Sequence, residues 1–152
     1  MLMIGYNIKQ PDDKLSKIDV DQIYSIITKP HSEVQQLTNQ LKTILTIDPK
    51  QYQILQSKLP YITCGLFFPN YRETENFASI QHLIINIDNI SNKELNINLL
   101  IETFKQNPNT HLLFTSPDSN EIKIIFSLKE KIFDQAKYSI FYKIFSYQIS
   151  SQ

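Results

Sequence analysis

The chain has few of the residues from which common cofactor-binding and catalytic motifs are built. Only two of its 152 residues are glycine, Gly5 and Gly65, which excludes the glycine-rich phosphate loops of dinucleotide-binding and P-loop folds. The single cysteine, Cys64, can form neither an internal disulfide nor a multi-cysteine zinc site, and we interpret it as a small core residue. None of the three histidines has metal-ligand spacing, so we interpret them as structural.

Neither an excess of one charge nor a long apolar run is present. Fifteen acidic and fifteen basic residues give a formal net charge of zero, so binding to nucleic acid would have to use a local patch rather than a global basic field. No apolar run reaches the ~20 residues that a membrane-spanning helix needs, and the N-terminus lacks a basic flank followed by an apolar core. We therefore expect a cytoplasmic protein with no membrane partner.

What the chain does contain is enough apolar material for one folded domain over residues 1–152. Hydrophobic residues make up 41% of it, with nine phenylalanines and eight tyrosines. Residues 1–8 read as a short strand. Three helices are then predicted: one capped by Asp19 and stopped by Pro30, one with a capping box from Ser32 to Gln35, and one starting at Asp48 and running to about residue 59.

Beyond Pro60 the apolar period changes from helical to extended. Strands are predicted at residues 61–68, 80–89, 111–115 and 122–128, and helices at 92–106 and 130–147. The order is a helical part at 1–49 followed by β-β-α-β-β-α over 50–147. This order predicts an α+β fold with a largely antiparallel sheet.

The stretch 80–89 is the predicted middle of that sheet, because its four isoleucines indicate a strand covered on both faces. Residues two apart on a strand share a face, so Asn86 and Asp88 project together from an apolar segment. A buried unpaired carboxylate is costly, so Asp88 should lie at the wet end of the strand or meet a cation. Plain turn and cap chemistry is the simpler interpretation of Asp88 and Asn89.

Two further features are candidates for phosphate binding. Arg72 is the only arginine and can grip a phosphate bidentately, although a surface ion pair with Glu73 or Glu75 is the simpler interpretation. The turn at 116–121, followed by Lys123, can be an ordinary hairpin. If it lies beside Asn86 and Asp88, its hydroxyls and the lysine would form a pocket for a nucleotide phosphate and a metal ion.

A series of short motifs resembles a known family. Thr63-Cys64-Gly65-Leu66-Phe67, then Arg72, then Asn86-Ile87-Asp88, then Phe114-Thr115-Ser116-Pro117 leading into Ile122-Lys123-Ile124, is similar to the N-terminal domain of the virulence-protein-E type. That domain resembles the catalytic half of archaeo-eukaryotic primases, the primase-polymerase superfamily of replication, mobile-element and some CRISPR-associated proteins. The resemblance covers about residues 50–147 and implies an RRM-like, mainly antiparallel sheet.

The resemblance also implies roles for individual residues. The family's Asp-x-Asp motif, which holds Mg²⁺ or Mn²⁺ for nucleotidyl transfer, stands here as Asn86-Ile87-Asp88, so the first acid is lost. Its Ser-Pro-Ser-Gly-x-Gly turn reads Ser116-Pro117-Asp118-Ser119-Asn120-Glu121; both glycines are gone, and Glu121 would repel a phosphate. The phosphate-contacting Lys123 is kept. The superfamily's third carboxylate, expected after the last helix, is missing.

These departures favour a degenerate or truncated primase-polymerase-like domain. The implied function is a nucleic-acid or nucleotide-binding accessory module in replication, mobile-element or defence systems, with weak Mg²⁺ or Mn²⁺ binding. Its implied partners are nucleotides, single-stranded DNA or RNA, and a helicase or polymerase chain. Two alternatives stay open: a primase-type nucleotidyltransferase that needs an acid from a partner chain, and a protein-interaction scaffold that binds no nucleotide.

Overall fold

The fold, described by a computed structural model over residues 1–88, 97–117, 119 and 121–150, consists within those residues of two antiparallel sheets, five α-helices and a short 3₁₀ helix at Thr74–Asn76. The predicted α+β class with a mainly antiparallel sheet is confirmed. No helix in these ranges has the length and apolar character needed to cross a membrane. In chain order the elements are β1 Leu2–Gly5, β2 Ser16–Ile18, α1 Val20–Thr28, α2 Ser32–Ile44, α3 Pro49–Gln56, β3 Tyr61–Thr63, β4 Gly65–Phe67, β5 Phe77–Asp88, α4 Ile97–Gln106, β6 Thr110–Thr115, β7 Glu121–Ile132 and α5 Gln135–Ser150.

The larger sheet has the strand order β4-β5-β7-β6, and every neighbouring pair is antiparallel. Because β5 and β6 are both antiparallel to β7, they run in the same direction, with β7 between them. This arrangement is a split βαβ unit: the chain runs from β5 through α4 to β6, and β7 is inserted between these two parallel strands in the sheet. The twelve-residue β5 occupies an interior position, as predicted for the stretch 80–89.

Both faces of this sheet are covered. On one face, Leu83 and Phe126 belong to a buried cluster that packs against α4 and α5. On the other face, Ile80 and Ile125 share a cluster with residues of the N-terminal part, among them Leu2 and Ile23. The N-terminal part therefore contributes one layer to a common core.

The predicted strand at 61–68 is not continuous. It divides into β3, which pairs with β1 in a three-stranded sheet, and β4, which pairs with β5 in the larger sheet. Cys64 lies between them and is buried, as interpreted from the sequence, and this burial raises the pKa of its thiol to about 12. A Cβ on the following Gly65 would come within 3.0 Å of the Phe67 ring. The apolar run is thus shared between two sheets, which alternation alone does not reveal.

Among the three N-terminal helices α1–α3, two begin at a capping side chain. Asp19 and Gln22 form a reciprocal capping box at α1, and the Asp48 carboxylate accepts the N–H groups of Lys50 and Gln51 at α3. The capping box predicted at Ser32 is absent, since Ser32 is already helical.

Other boundaries also differ from the prediction. Helix α3 ends at Gln56 rather than near residue 59. Strand β7 continues to Ile132, so α5 begins at Gln135 rather than 130, after an Asp134 carboxylate that accepts two N–H groups of its first turn. The predicted start of α4 at 92 lies outside the described residues.

Candidate functional site

The register of the larger sheet brings the two predicted motifs together. Asn86 lies directly opposite Lys123, and Asp88 lies directly opposite Glu121. On the other side of β7, the backbone N–H of Ser116 donates to the Glu121 carbonyl at 3.0 Å, continuing the β6–β7 ladder beyond Thr115. By strand alternation these five residues share one face at one end of the sheet. We call them the sheet-end cluster: Asn86, Asp88, Ser116, Glu121 and Lys123.

The cluster lies where the sheet meets solvent. Asn86 and Asp88 are exposed, whereas Glu121 and Lys123 are half-buried. Asp88 is the last residue of β5, so its carboxylate is at the wet end of the strand, one of the two placements expected for it. A ligand can therefore reach Asn86 and Asp88 without any rearrangement of the core.

Lys123 has an acidic partner inside the cluster. Its Nζ lies 2.8 Å from the Glu121 Oε2, with 27% and 28% of the two side chains exposed. A phosphate at Lys123 would have to displace this carboxylate. Sequence reasoning treated Glu121 only as a repulsive neighbour and missed the pair, although residues two apart on a strand share a face and the spacing of 121 and 123 was the available signal.

The cluster contains one more carboxylate that could serve as an oxygen ligand than the sequence indicated. Besides the Asp88 carboxylate and the Asn86 amide, the Glu121 carboxylate stands opposite Asp88 on the next strand. Mg²⁺ and Mn²⁺ take such oxygen ligands. Within the described ranges there is no grouping of three or more His, Cys, Asp or Glu residues that could hold a metal ion. The donor set thus supplies two carboxylates, one of which is also paired with Lys123.

Ser116 closes the hairpin between β6 and β7. It is 3% exposed, and its Oγ accepts the Glu121 N–H at 3.1 Å. The hydroxyl thereby fixes the backbone that carries Glu121 and Lys123. Its predicted contact with a nucleotide phosphate stays a prediction, and such a contact would compete with this hydrogen bond.

Ser119 has a backbone conformation that is typical of glycine. It is the first of the two positions at which the resembled turn motif carries glycine, and its φ is 59°, in the left-handed region. Its N–H donates to the Ser116 carbonyl at 2.9 Å. The residues on either side, Asp118 and Asn120, lie outside the described ones. The left-handed turn is therefore present although the glycine is not.

Arg72 does not belong to the sheet-end cluster. Its guanidinium lies 5.0 Å above the centre of the Tyr61 ring and donates to the Ile8 carbonyl at 2.8 Å. It borders a cleft of about 380 Å³ that Ile80 also lines. Ile80 and Asn86 are six residues apart on β5, which corresponds to roughly 20 Å. The two candidate features for phosphate binding, Arg72 and the turn with Lys123, therefore lie toward opposite ends of β5 and do not form one pocket.

The simpler interpretation of Arg72 also needs correction. In the part of the chain that the structure describes, it makes no ion pair with Glu73 or Glu75. Its positive charge instead acts on Asp13: burial would raise the pKa of that carboxyl, but hydrogen bonds from the Asn7 N–H and neighbouring groups, together with Arg72, lower it. Arg72 therefore holds the loop after β1 against β3.

The fold and the cluster define an α+β domain built on a split βαβ sheet with a polar, carboxylate-bearing sheet end. The chain belongs to the BT4734-like family, whose N-terminal domain model matches residues 55–144. That range contains the whole sheet-end cluster and Arg72. No curated protein and no solved structure matches the chain.

Proposed function

We propose that this chain is a degenerate primase-polymerase-like domain that binds nucleotides or single-stranded nucleic acid as an accessory module of replication, mobile-element or defence systems. The observation that carries the proposal is the sheet-end cluster. Two motifs that are distant in the sequence, one around Asp88 and one around Lys123, meet on the same exposed end of one sheet. A sheet built only for stability would not need this convergence of a carboxylate, an amide and a lysine.

The hairpin supports the same assignment. A non-glycine residue in the left-handed region is uncommon, and Ser119 adopts it at a position where the resembled motif has glycine. If a phosphate-binding turn was inherited and then degenerated, we expect its left-handed conformation to persist after the glycine is lost, as it does at Ser119. The split βαβ arrangement of β5, α4 and β6 is compatible with the RRM-like sheet that the resemblance implies.

The chemistry of the cluster favours binding over self-sufficient catalysis. With Asn86 in place of an acid, and with Glu121 held by Lys123, the site lacks the charge that normally keeps two divalent ions in place. Asp88 would hold a divalent ion, which would supply positive charge to neutralise a phosphate. Lys123 would neutralise a phosphate, and the exposed Asn86 would offer a neutral hydrogen-bonding group.

One observation favours the alternative of a primase-type nucleotidyltransferase that is active with a partner chain. Glu121 stands opposite Asp88, so two carboxylates face each other across β5 and β7. An acid donated by a helicase or polymerase partner would then complete a three-carboxylate set. Primer synthesis by the chain mixed with such a partner, lost in Asp88→Asn, would favour this alternative over the accessory module.

The binding function is tested with labelled single-stranded DNA and RNA oligonucleotides by fluorescence anisotropy at several salt concentrations. We expect Lys123→Ala to weaken binding and to reduce the magnitude of the salt slope by about 1. Glu121→Gln should strengthen binding, because it releases Lys123 from its ion pair. Arg72→Ala is the matched control, since it removes one positive charge at the opposite end of β5.

Equal binding by the wild-type protein, Lys123→Ala and Glu121→Gln would remove the sheet-end cluster from the nucleic-acid site. Absence of any binding at low salt, for nucleotides as well as oligonucleotides, would favour the protein-interaction scaffold instead.

A further inference from the structure

Two of the three histidines lie side by side although they are distant in the sequence. His82 is on β5 and His111 is on β6, with β7 between these strands, and their ring centroids are 5.5 Å apart with an interplanar angle of 58°. His82 is 5% exposed, whereas His111 is exposed to solvent. The pair is therefore open on the His111 side and closed on the His82 side.

The buried member of the pair has an unsatisfied ring nitrogen. The Nδ1 of His82 is buried and has no hydrogen-bond partner. Leaving a buried polar atom unpaired costs about 1–3 kcal/mol, so such an atom in a folded protein calls for an explanation. The ring that stands next to it is a second imidazole, and neutral imidazole nitrogens are the commonest protein ligands of transition metals.

The environment keeps His82 in the form that binds metal. Burial, reinforced by the positive Met1 amino group and by His111, lowers the pKa of His82 to about 4. At neutral pH the ring therefore carries no extra proton that a metal ion would have to displace.

We propose that His82 and His111 form a two-histidine site for a divalent transition-metal ion of the zinc, copper and nickel group, with water completing its coordination. Two imidazoles that share one ion through metal–nitrogen bonds of ~2.0–2.1 Å have ring centroids roughly 5–6 Å apart, as this pair does. The ligands are nitrogen atoms, so the site differs in kind from the oxygen donors of the sheet-end cluster. With two protein ligands and a positive amino group nearby, its affinity should be lower than that of a four-ligand structural zinc site.

The test is a titration of the metal-free 152-residue protein with Zn²⁺ at pH 7, followed by calorimetry and by the imidazole resonances in nitrogen–proton NMR spectra. We expect one ion per chain and shifts of the His82 and His111 resonances but not those of His31. His111→Ala, at an exposed position, should weaken binding at least about tenfold. The matched control His31→Ala should bind as the wild type does, and Cu²⁺ should bind more tightly than Zn²⁺.

The same experiment distinguishes the histidine site from the proposed Mg²⁺ or Mn²⁺ binding at the sheet-end cluster. Asp88→Asn should leave Zn²⁺ binding at the histidines unchanged, and Mg²⁺ should not move the His82 resonance, because Mg²⁺ prefers oxygen ligands. The histidine site is wrong if Zn²⁺ leaves the His82 resonance unmoved in the wild-type protein, or if His111→Ala binds Zn²⁺ with wild-type affinity. Either outcome leaves the proposed nucleic-acid function untouched.

Discussion

At the scale of single residues, His82 links stability to pH. Its pKa in the folded protein is about 4, below the ordinary 6.5, because the ring is buried next to a positive amino group and His111. The unfolded chain takes up a proton near pH 6.5 while the folded chain does not, so acidification favours unfolding. We predict that the free energy of unfolding falls by about 2 kcal/mol between pH 7 and pH 5. Urea unfolding in the presence of a chelator measures this loss.

Asp13, whose pKa is lowered in the folded protein, does not account for a loss in that range. The pKa of Asp13 is lowered from 3.8, so its contribution to stability is present above that value and disappears only at lower pH. His82→Gln should abolish most of the difference between pH 7 and pH 5, and the exposed His31→Gln should keep it. An NMR titration that finds His82 protonating near pH 6.5 in the folded protein would contradict the prediction.

At the scale of elements, the sequence predicted what local chemistry determines. The starts of α1 and α3 follow from Asp19 and Asp48, whose carboxylates cap the nearest backbone N–H groups. The division of the run 61–68 between two sheets was not predictable, since β3 pairs with β1 at the start of the chain whereas β4 pairs with the following β5. The extension of β7 to Ile132 was missed for the same reason: Ile132 pairs with Ile80 across a register shift.

The β6–β7 hairpin provides a prediction about an element. Because Ser119 has a φ of 59°, its backbone is in the left-handed region, which glycine adopts without the steric cost that a Cβ brings. Ser119→Gly relieves roughly 1–2 kcal/mol of strain in the folded state, but the greater entropy of the unfolded chain costs about 0.4–1 kcal/mol. A net stabilisation of up to about 1.6 kcal/mol is therefore expected. Thermal and urea unfolding measure it, with Ser57→Gly, where φ is −67°, as the control that should destabilise.

A loss of stability in Ser119→Gly similar to that in Ser57→Gly would mean that the turn does not favour glycine. The argument that it descends from a glycine-bearing phosphate turn would then lose its structural support.

At the scale of the whole molecule, the strand register determines which residues form the candidate site. Strand parity placed Asn86 and Asp88 on one face, and this could be read from the sequence. Three other facts could not be read from it: Lys123 stands opposite Asn86, Glu121 stands opposite Asp88, and Arg72 borders the same cleft as Ile80, which is roughly 20 Å along β5 from Asn86. Such distances are determined by how distant segments pair, and no local pattern encodes them.

The register also decides what restoring the lost acid should do. Asn86→Asp places a carboxylate beside Asp88, which repels it, and opposite Lys123, which attracts it. Because the positions are exposed and Lys123 already pairs with Glu121, we expect the metal-free protein to change in stability by no more than about 1 kcal/mol. In Mn²⁺ the variant offers three carboxylates at this end of the sheet, two on β5 and one on β7. It should gain about 1.4 kcal/mol when free Mn²⁺ is tenfold above its Kd, and the wild-type protein should gain less.

The measurement is the melting temperature with and without Mn²⁺, and Asn39→Asp is its matched control. That substitution adds the same charge at an exposed position of α2, which contributes no residue to the sheet-end cluster, so it corrects for any general effect of charge on metal-dependent melting. If Asn86→Asp and Asn39→Asp respond equally to Mn²⁺, the oxygen atoms at the sheet end do not converge on a cation. Asn86 and Asp88 would then be ordinary residues at the solvated end of a strand, and the interaction scaffold would replace the nucleotide-binding module as the best account of this domain.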